Sequence, residues 1–365
     1  MLNNNFLAYT NKYQLFTSND SVIVATSGGI DSVVLCHLMY QCKFLFHIAH
    51  CNFSLRGADS EADEAFVEQL AEDFGVPFHS ISFDTKAISK TWRMSIQETA
   101  RKLRYDWLET IRVAHHCQVV ATAHHLNDSL ETVLYNFTKG CGIRGLHGIL
   151  PQTGYVVRPL LFATKAEITE FADLHDLEFR LDVSNTFDKY NRNKIRHHVV
   201  PVLQQINPNL EKTSARTIEN LKEVEELYLW SIQHIQKKIF KQEQETLVVD
   251  IETLRAYPAP KSVLYESVKD LGFNADQIHQ LLERTTFHSG LQFQSATHEL
   301  LIDRGQFRIK PIVSANEESL FIPLAVGEFQ LGQDRLVFSN ISAVPIAFSK
   351  DKYVAYLTLI HLFFP

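Results

Sequence analysis

The chain has 365 residues, 45% of them apolar and 21% charged, which suits a globular protein and exceeds one ordinary core, so two or three domains are expected. A formal charge of −7 gives no general attraction to nucleic acid, and any RNA must be held by a local basic patch. Five cysteines (Cys36, Cys42, Cys51, Cys117, Cys141) without any C-x-x-C argue against a disulfide framework and against thiolate-held zinc or iron–sulfur. No run approaches the roughly 18 uncharged apolar residues of a membrane span, and the N-terminus has neither a basic region nor an apolar signal core; no membrane partner and a cytoplasmic location are expected.

Val22 to Thr26 reads as the first strand and runs into Ser27-Gly28-Gly29-Ile30-Asp31-Ser32, which opens a helix over 30–41. A strand turning through two glycines into a helix aims several backbone N–H groups and the helix dipole at one spot, and that spot suits a phosphate. Gly28 and Gly29 permit close approach, Ser27 and Ser32 add hydroxyls, and Asp31 is placed to hold Mg²⁺. Strands follow over 44–49, 78–83 and 118–122, with helices over 60–74, 95–115 and 127–138. Ser60 with Asp63 reads as a capping box for the second helix, which Gly75 and Pro77 end. Tyr155 to Leu161 supplies a fifth strand, and Thr164 with Glu167 opens its covering helix. The alternation predicts an α/β fold with a parallel five-stranded sheet and helices on both faces. Ligands then sit beyond the carboxyl ends of the strands, where Ser27, His50, Asn52 and His124 lie.

A long helical connector is expected over 210–240, after a catalytic domain of residues 1–209, and a smaller α+β domain over 241–345. The apolar run Val354 to Pro365 reads as the start of a further domain, 346–365, that is cut short.

His50-Cys51-Asn52 follows the second strand beside the phosphate loop. Glu98, Arg101 and Arg104 lie along one helix at spacings of three, as on an ordinary solvated face. His124 stands at a strand tip, and Asp128 and Glu131 share one face of the helix it opens; acids there are also plain dipole partners. Gly140-Cys141-Gly142-Ile143-Arg144-Gly145 spells G-x-G-x-x-G, but it follows a helix rather than a strand, so a flexible loop made cationic by Lys139 and Arg144 describes it better than a dinucleotide site. Tyr190 to His198 carries Arg192, Lys194 and Arg196 without an acid, a candidate patch for RNA phosphates.

The Ser27–Ser32 loop resembles the PP-loop of the N-type ATP pyrophosphatases, which cut ATP between the α and β phosphates; it has no lysine of the Walker A kind. With His50 to Gly57, Gln97 to Arg101, Arg104-Tyr105, His124 through Thr132, Lys139 to Leu146, Arg158-Pro159-Leu160-Leu161, and Asp182 to Pro201 around Asn185 and Tyr190, the motifs stand in the order seen in tRNA(Ile)-lysidine synthetases. The resemblance covers residues 20 to about 210 strongly and 211–345 only in general character. Phe53, Asn127 and Ser129 depart from the usual pattern, and the family's last small domain is expected to be missing.

The resemblance implies an adenine nucleotide alpha-hydrolase-like fold. The implied reaction adenylates the C2 oxygen of the wobble cytidine in an isoleucine tRNA with anticodon CAU, after which free L-lysine displaces AMP. ATP and Mg²⁺ are the implied cofactors, and a homodimer is compatible with it. Ser27 to Ser32, His50 and Asn52 are assigned to ATP, with Asp31 also the Mg²⁺ ligand; Asp31, Arg101 and His124 to catalysis; Asp128 and Glu131 to lysine; Lys139, Arg144, Arg192, Lys194 and Arg196 to tRNA. Two rivals stay open: another PP-loop RNA modifier such as a thiolase, and a truncated, non-catalytic nucleotide- or tRNA-binding protein.

Overall fold

The computed structural model describes residues 1–180, 191–284, 289–312, 327–331 and 334–338. Asp182, Asn185, Tyr190 and the expected segment 346–365 lie outside them. The chain divides into two units, 1–231 and 232–365.

The first unit runs α1 (Leu2–Lys12), β1 (Ser21–Ala25), α2 (Ile30–Gln41), β2 (Leu45–Asn52), α3 (Ala58–Phe74), β3 (Phe78–Ser82), α4 (Thr85–Trp92), α5 (Ile96–Ala114), β4 (Val119–Ala121), α6 (Leu126–Thr138), α7 (Ile143–Leu146), β5 (Gln152–Thr153), β6 (Val156–Val157), α8 (Lys165–Leu174), α9 (Asn191–Lys194), a π-helical turn (Ile195–Val199) and α10 (Val200–Ile206). The sheet order is β3-β2-β1-β4-β6-β5. The first five of these strands are mutually parallel, and β5 adds a two-residue antiparallel edge. Because β1 sits between β2 and β4, the strand order reverses there, and the carboxyl ends of β1 and β4 form the crevice in which such sheets bind ligands.

Strand β1 is apolar on both faces, as a parallel strand covered on both sides must be. Val22 and Val24 join Phe46, Ile48 and Val157 in a core closed by α1, α2 and α8. Ile23 faces the other way, onto Leu108 and Ile111 of α5. Helix α1 has poor helix formers in Asn3, Asn4 and Asn5, and it is held by burial of Leu2 and Phe6.

Three expectations change. Ser60 and Asp63 do not cap α3: the helix starts earlier, after Gly57, and Asp63 instead pairs with Arg56 and Arg180 inside it. The fifth strand is shorter than Tyr155–Leu161, since Pro159 has no N–H to extend a ladder. The 140–145 segment is tied down rather than free: Asn136 Nδ2 donates to the Gly145 carbonyl at 2.9 Å, and Gly145 lies so close to Cys141 that a Cβ there would meet Cys141 Cβ at 2.4 Å.

Helix α11 (Leu210–Ile239) runs from the first unit into the second. There β7 (Phe240–Glu243), β8 (Thr246–Asp250), α12 (Ile251–Arg255), α13 (Pro260–Val268), α14 (Ala275–Leu282), β9 (Gln292–Gln294), β10 (His298–Asp303) and β11 (Gln306–Pro311) build an antiparallel sheet, β7-β8-β11-β10-β9, over a core that includes Val249, Leu264, Ile302 and Phe307. A hairpin, β12 (Gly327–Leu331) and β13 (Asp334–Phe338), follows.

Candidate active site

The phosphate loop leaves β1 at Thr26, whose N–H is held by Ala49 O at 2.8 Å. Gly28 adopts φ +86°, a left-handed conformation costly for any residue with a side chain. Ser32 Oγ donates to Gly29 O at 2.8 Å and accepts from Ser27 N at 3.2 Å, which closes the loop onto itself. Among the described residues no side chain caps helix α2 at Ile30, so its first turn presents backbone donors to a ligand.

His50 and Asn52 are buried beside this loop but occupied: His50 Nδ1 contacts Thr26 O at 2.9 Å, and Asn52 Nδ2 donates to Glu64 at 2.9 Å. Burial holds the His50 imidazole below its ordinary pKa. His50 braces the end of β1, and Asn52 ties the end of β2 to α3.

From Asp31 a line of polar contacts crosses the crevice. Lys165 Nζ lies 2.5 Å from Asp31 Oδ1; His125 Nε2 lies 3.9 Å from Asp31 Oδ2 and 3.5 Å from Asp128 Oδ2. Asp128 also accepts from the His125 backbone N–H at 3.0 Å. Arg192 then reaches both acids, with Nη2 3.1 Å from Asp128 Oδ1 and Nε 3.0 Å from Glu131 Oε2. Arg196 lies against Glu131 and, at 3.3 Å, against Asp128 Oδ1. Leu130, Ile195 and Val200 pack together, which seats the π-helical turn against α6.

Burial alone would raise the Asp128 carboxyl, but His125 and Arg192 outweigh it and hold it below its ordinary range. For Arg196 burial works against the charge, and Glu131 more than restores it. His124 turns elsewhere, Nδ1 to Thr122 Oγ1 at 2.9 Å, and burial pushes its imidazole down to about 4, so it is neutral at pH 7. Arg101 stacks over Tyr105 at 5.0 Å and is near enough to His124 to disfavour its charge further.

Arg192 and Arg196, expected as a patch for RNA phosphates, are therefore committed to the two acids expected to grip lysine. Of the other expected tRNA cations, Lys194 and Lys139 are exposed, Lys139 over the Tyr135 ring at 4.1 Å, and Arg144 lies 3.7 Å from Glu225. Two participants were missed. His125, rather than His124, stands between Asp31 and Asp128, and its buried Nδ1 has no hydrogen-bond partner among the described residues, a sign of a group that a ligand satisfies. Lys165 could have been noticed as a cation in the first turn of α8, where the helix dipole is unfavourable unless an acid lies opposite. The departures Asn127 and Ser129 hold structure: Asn127 Oδ1 accepts from Lys165 N at 2.9 Å, and Ser129 Oγ from Ile149 N at 3.0 Å.

A parallel sheet whose order reverses at β1, with a glycine loop and an uncapped helix at that point, defines a PP-loop ATP-binding protein. Residues 2–203 match the PP-loop domain family, and residues 242–312 match the TilS substrate binding domain. A tRNA(Ile)-lysidine synthase of Parabacteroides distasonis is 35% identical over 98% of this chain and 81% of its own length, and one of Bacteroides thetaiotaomicron is 36% identical over 88% and 74%. The chain belongs to the tRNA(Ile)-lysidine synthase family. Among solved structures, a U34-tRNA thiolase from Methanococcus maripaludis superposes with a TM-score of 0.50 at 17% identity, covering 61% of this chain and 78% of that one, and shares the fold.

Proposed function

We propose that this chain activates the C2 oxygen of the wobble cytidine in a CAU-anticodon isoleucine tRNA with ATP and joins free L-lysine to that carbon, in the cytoplasm. Cytidine O2 attacks the α-phosphorus and pyrophosphate leaves; the lysine ε-amine then attacks C2, the C2–O bond breaks, AMP departs and the nitrogen loses a proton. The observation that supports this best is the pair Asp128 and Glu131, set beside the phosphate-loop carboxylate through His125. Two acids at one spot suit an ammonium ion, and the phosphate loop beside them suits the nucleotide.

The loop amides with Ser27 and Ser32 cradle the phosphates. Asp31 offers a hard oxygen at the loop mouth, which fits Mg²⁺ bound through one carboxylate and the substrate's own phosphates; the ion would neutralise phosphate charge. Lys165 supplies, from α8, the cation the loop lacks and stabilises the departing pyrophosphate. Arg101 faces the charge developing near the cytidine oxygen, and neutral His124 lines the base. A lysine with an ordinary pKa near 10.4 is only about four parts in ten thousand neutral at pH 7, a cost of roughly 4–5 kcal/mol, so the acids must hold it while its proton is lost.

The test is product analysis with labelled ATP. AMP and pyrophosphate, formed only with CAU-anticodon tRNA and lysine both present, are expected. ADP as product, or turnover indifferent to lysine, overturns the reading, and sulfur incorporation would favour the thiolase alternative, against which the lack of C-x-x-C weighs.

A further inference from the structure

His47, His79 and His115 take no part in the crevice. His47 is the third residue of β2 and His79 the second of β3, so both stand at the amino ends of strands whose carboxyl ends border the nucleotide. Ala49 pairs with His79 across the parallel ladder, and His47, two residues earlier, points to the same face. On that face the carboxyl end of α5 arrives, with His115 as the residue that ends it. One ring nitrogen from each histidine lies within 4.8 Å of the others, and His47 Nδ1 and His79 Nε2 are 3.0 Å apart. His47 and His79 are half-buried and His115 is exposed.

Three imidazoles converging on one point need a reason. His47 and His79 are stacked with ring centroids 5.3 Å apart, and His115 tilts against them at 5.7 and 4.2 Å; beyond this packing, one nitrogen of each ring turns toward the same point. Around an ion at about 2.0–2.1 Å from each nitrogen in tetrahedral geometry, the nitrogens would be about 3.4 Å apart. The His47 and His79 nitrogens, which share a hydrogen bond at 3.0 Å, are within a few tenths of an ångström of that spacing, and rotation of the exposed His115 ring would close the remaining gap. The site also sits at the negative end of a 19-residue helix, where a cation is favoured. An all-imidazole donor set selects zinc, nickel or copper over magnesium and calcium, which require oxygen.

We infer that His47, His79 and His115 form a divalent transition-metal site of the zinc type, which ties the end of α5 to the β2–β3 edge of the sheet. Three protein ligands leave a fourth position for water. The ion's role is to stabilise the first unit. His47 is roughly 10 Å along β2 from His50, so it lies away from the nucleotide end.

The test uses the full chain, stripped with chelator, and Zn²⁺ alone as the probe. Calorimetry is expected to give one equivalent bound. Zinc at 100 times its Kd is expected to raise Tm by roughly 5–10 °C, the shift that about 2.7 kcal/mol of linkage produces at this size. His115→Ala, at an exposed position that does not threaten folding, is expected to weaken zinc at least ~100-fold and to abolish the Tm rise, while leaving AMP formation unchanged. His116→Asn, one residue on, is the control and keeps full binding. Absence of a one-equivalent zinc isotherm at 100 µM metal, roughly the weakest useful affinity for such a ligand set, overturns the inference, as does undiminished binding by His115→Ala.

Discussion

Arg196 lies along the Glu131 carboxylate in a two-point contact, Nε to Oε1 at 2.6 Å and Nη2 to Oε2 at 2.9 Å. Arg192 makes the same acid's third contact and one of Asp128's. Without substrate, two carboxylates are thus matched by two guanidiniums, and a lysine ammonium arriving there must take over contacts that an arginine holds. Both arginines reach both acids, but Arg192 holds each by one contact near 3.0 Å whereas Arg196 is fixed on Glu131 by two, so Arg192 is the one with fewer contacts to give up on Glu131.

Glu131→Gln should therefore have two effects. Glu131 is 2% exposed, and removing its charge leaves Arg196 only its longer contact with Asp128; since Arg196 is itself 35% exposed, the loss of stability should be about 2 kcal/mol, below the 3–5 of a fully buried pair. The lysine KM should rise at least ~10-fold more than the ATP KM. Steady-state titration of each substrate and urea unfolding measure both effects. Equal rises in the two constants would show that Glu131 serves only to hold the π-helical turn on α6.

Arg192→Ala separates competition from support. If Arg192 yields to lysine and turns to a tRNA phosphate, its loss should leave the lysine KM unchanged or lower it, and should reduce the salt slope of tRNA binding by about one unit. A raised lysine KM with an unchanged slope would mean that Arg192 merely orders the carboxylates.

What the sequence made legible was local. The loop from Ser27 to Ser32 announces itself through the glycine that must take a positive φ and the strand and helix on either side. Thr164 with Glu167 forms the capping box its spacing suggests, with Thr164 Oγ1 2.9 Å from Glu167. The site's distant pairings were hidden. Lys165 meets Asp31 across 134 residues, and Arg196 meets Glu131 across 65. Nothing in either local pattern records the partner: a basic run without acids reads as a surface for phosphates until the fold carries acids to it. His125 was hidden for a different reason. In a His-His pair at a strand end, which ring points into the crevice depends on how β4 hands over to α6.

Lys165→Met should slow AMP formation roughly 10²–10³-fold, the usual effect of removing one fixed donor from developing charge, while tRNA affinity stays within about twofold. Asp31→Asn should also abolish most turnover, but through the ion, so raising Mg²⁺ should recover part of the Asp31→Asn loss and none of the Lys165→Met loss. Pre-steady-state AMP release across Mg²⁺ concentrations reads both. Recovery of Lys165→Met by Mg²⁺ would place the lysine among groups that tune Asp31 rather than among those that meet pyrophosphate.

His124 gives the stability of the first unit a pH dependence. Burial lowers its pKa from the ordinary 6.5 to about 4. Above 6.5 the imidazole is neutral in both folded and unfolded chains and contributes no slope. Between 6.5 and 4 the unfolded chain takes up a proton that the folded one refuses, so stability falls as pH falls, by up to about 3 kcal/mol over the window. Below 4 both forms are protonated and the loss is complete. His124→Asn, which keeps a polar atom near Thr122 Oγ1, should remove this component and flatten the stability curve between pH 4.5 and 6.5 by as much as ~1.4 kcal/mol per pH unit. Chemical denaturation at half-unit pH steps measures it. A slope in the variant equal to that of the parent would mean that His124 titrates normally in the fold and is open to water.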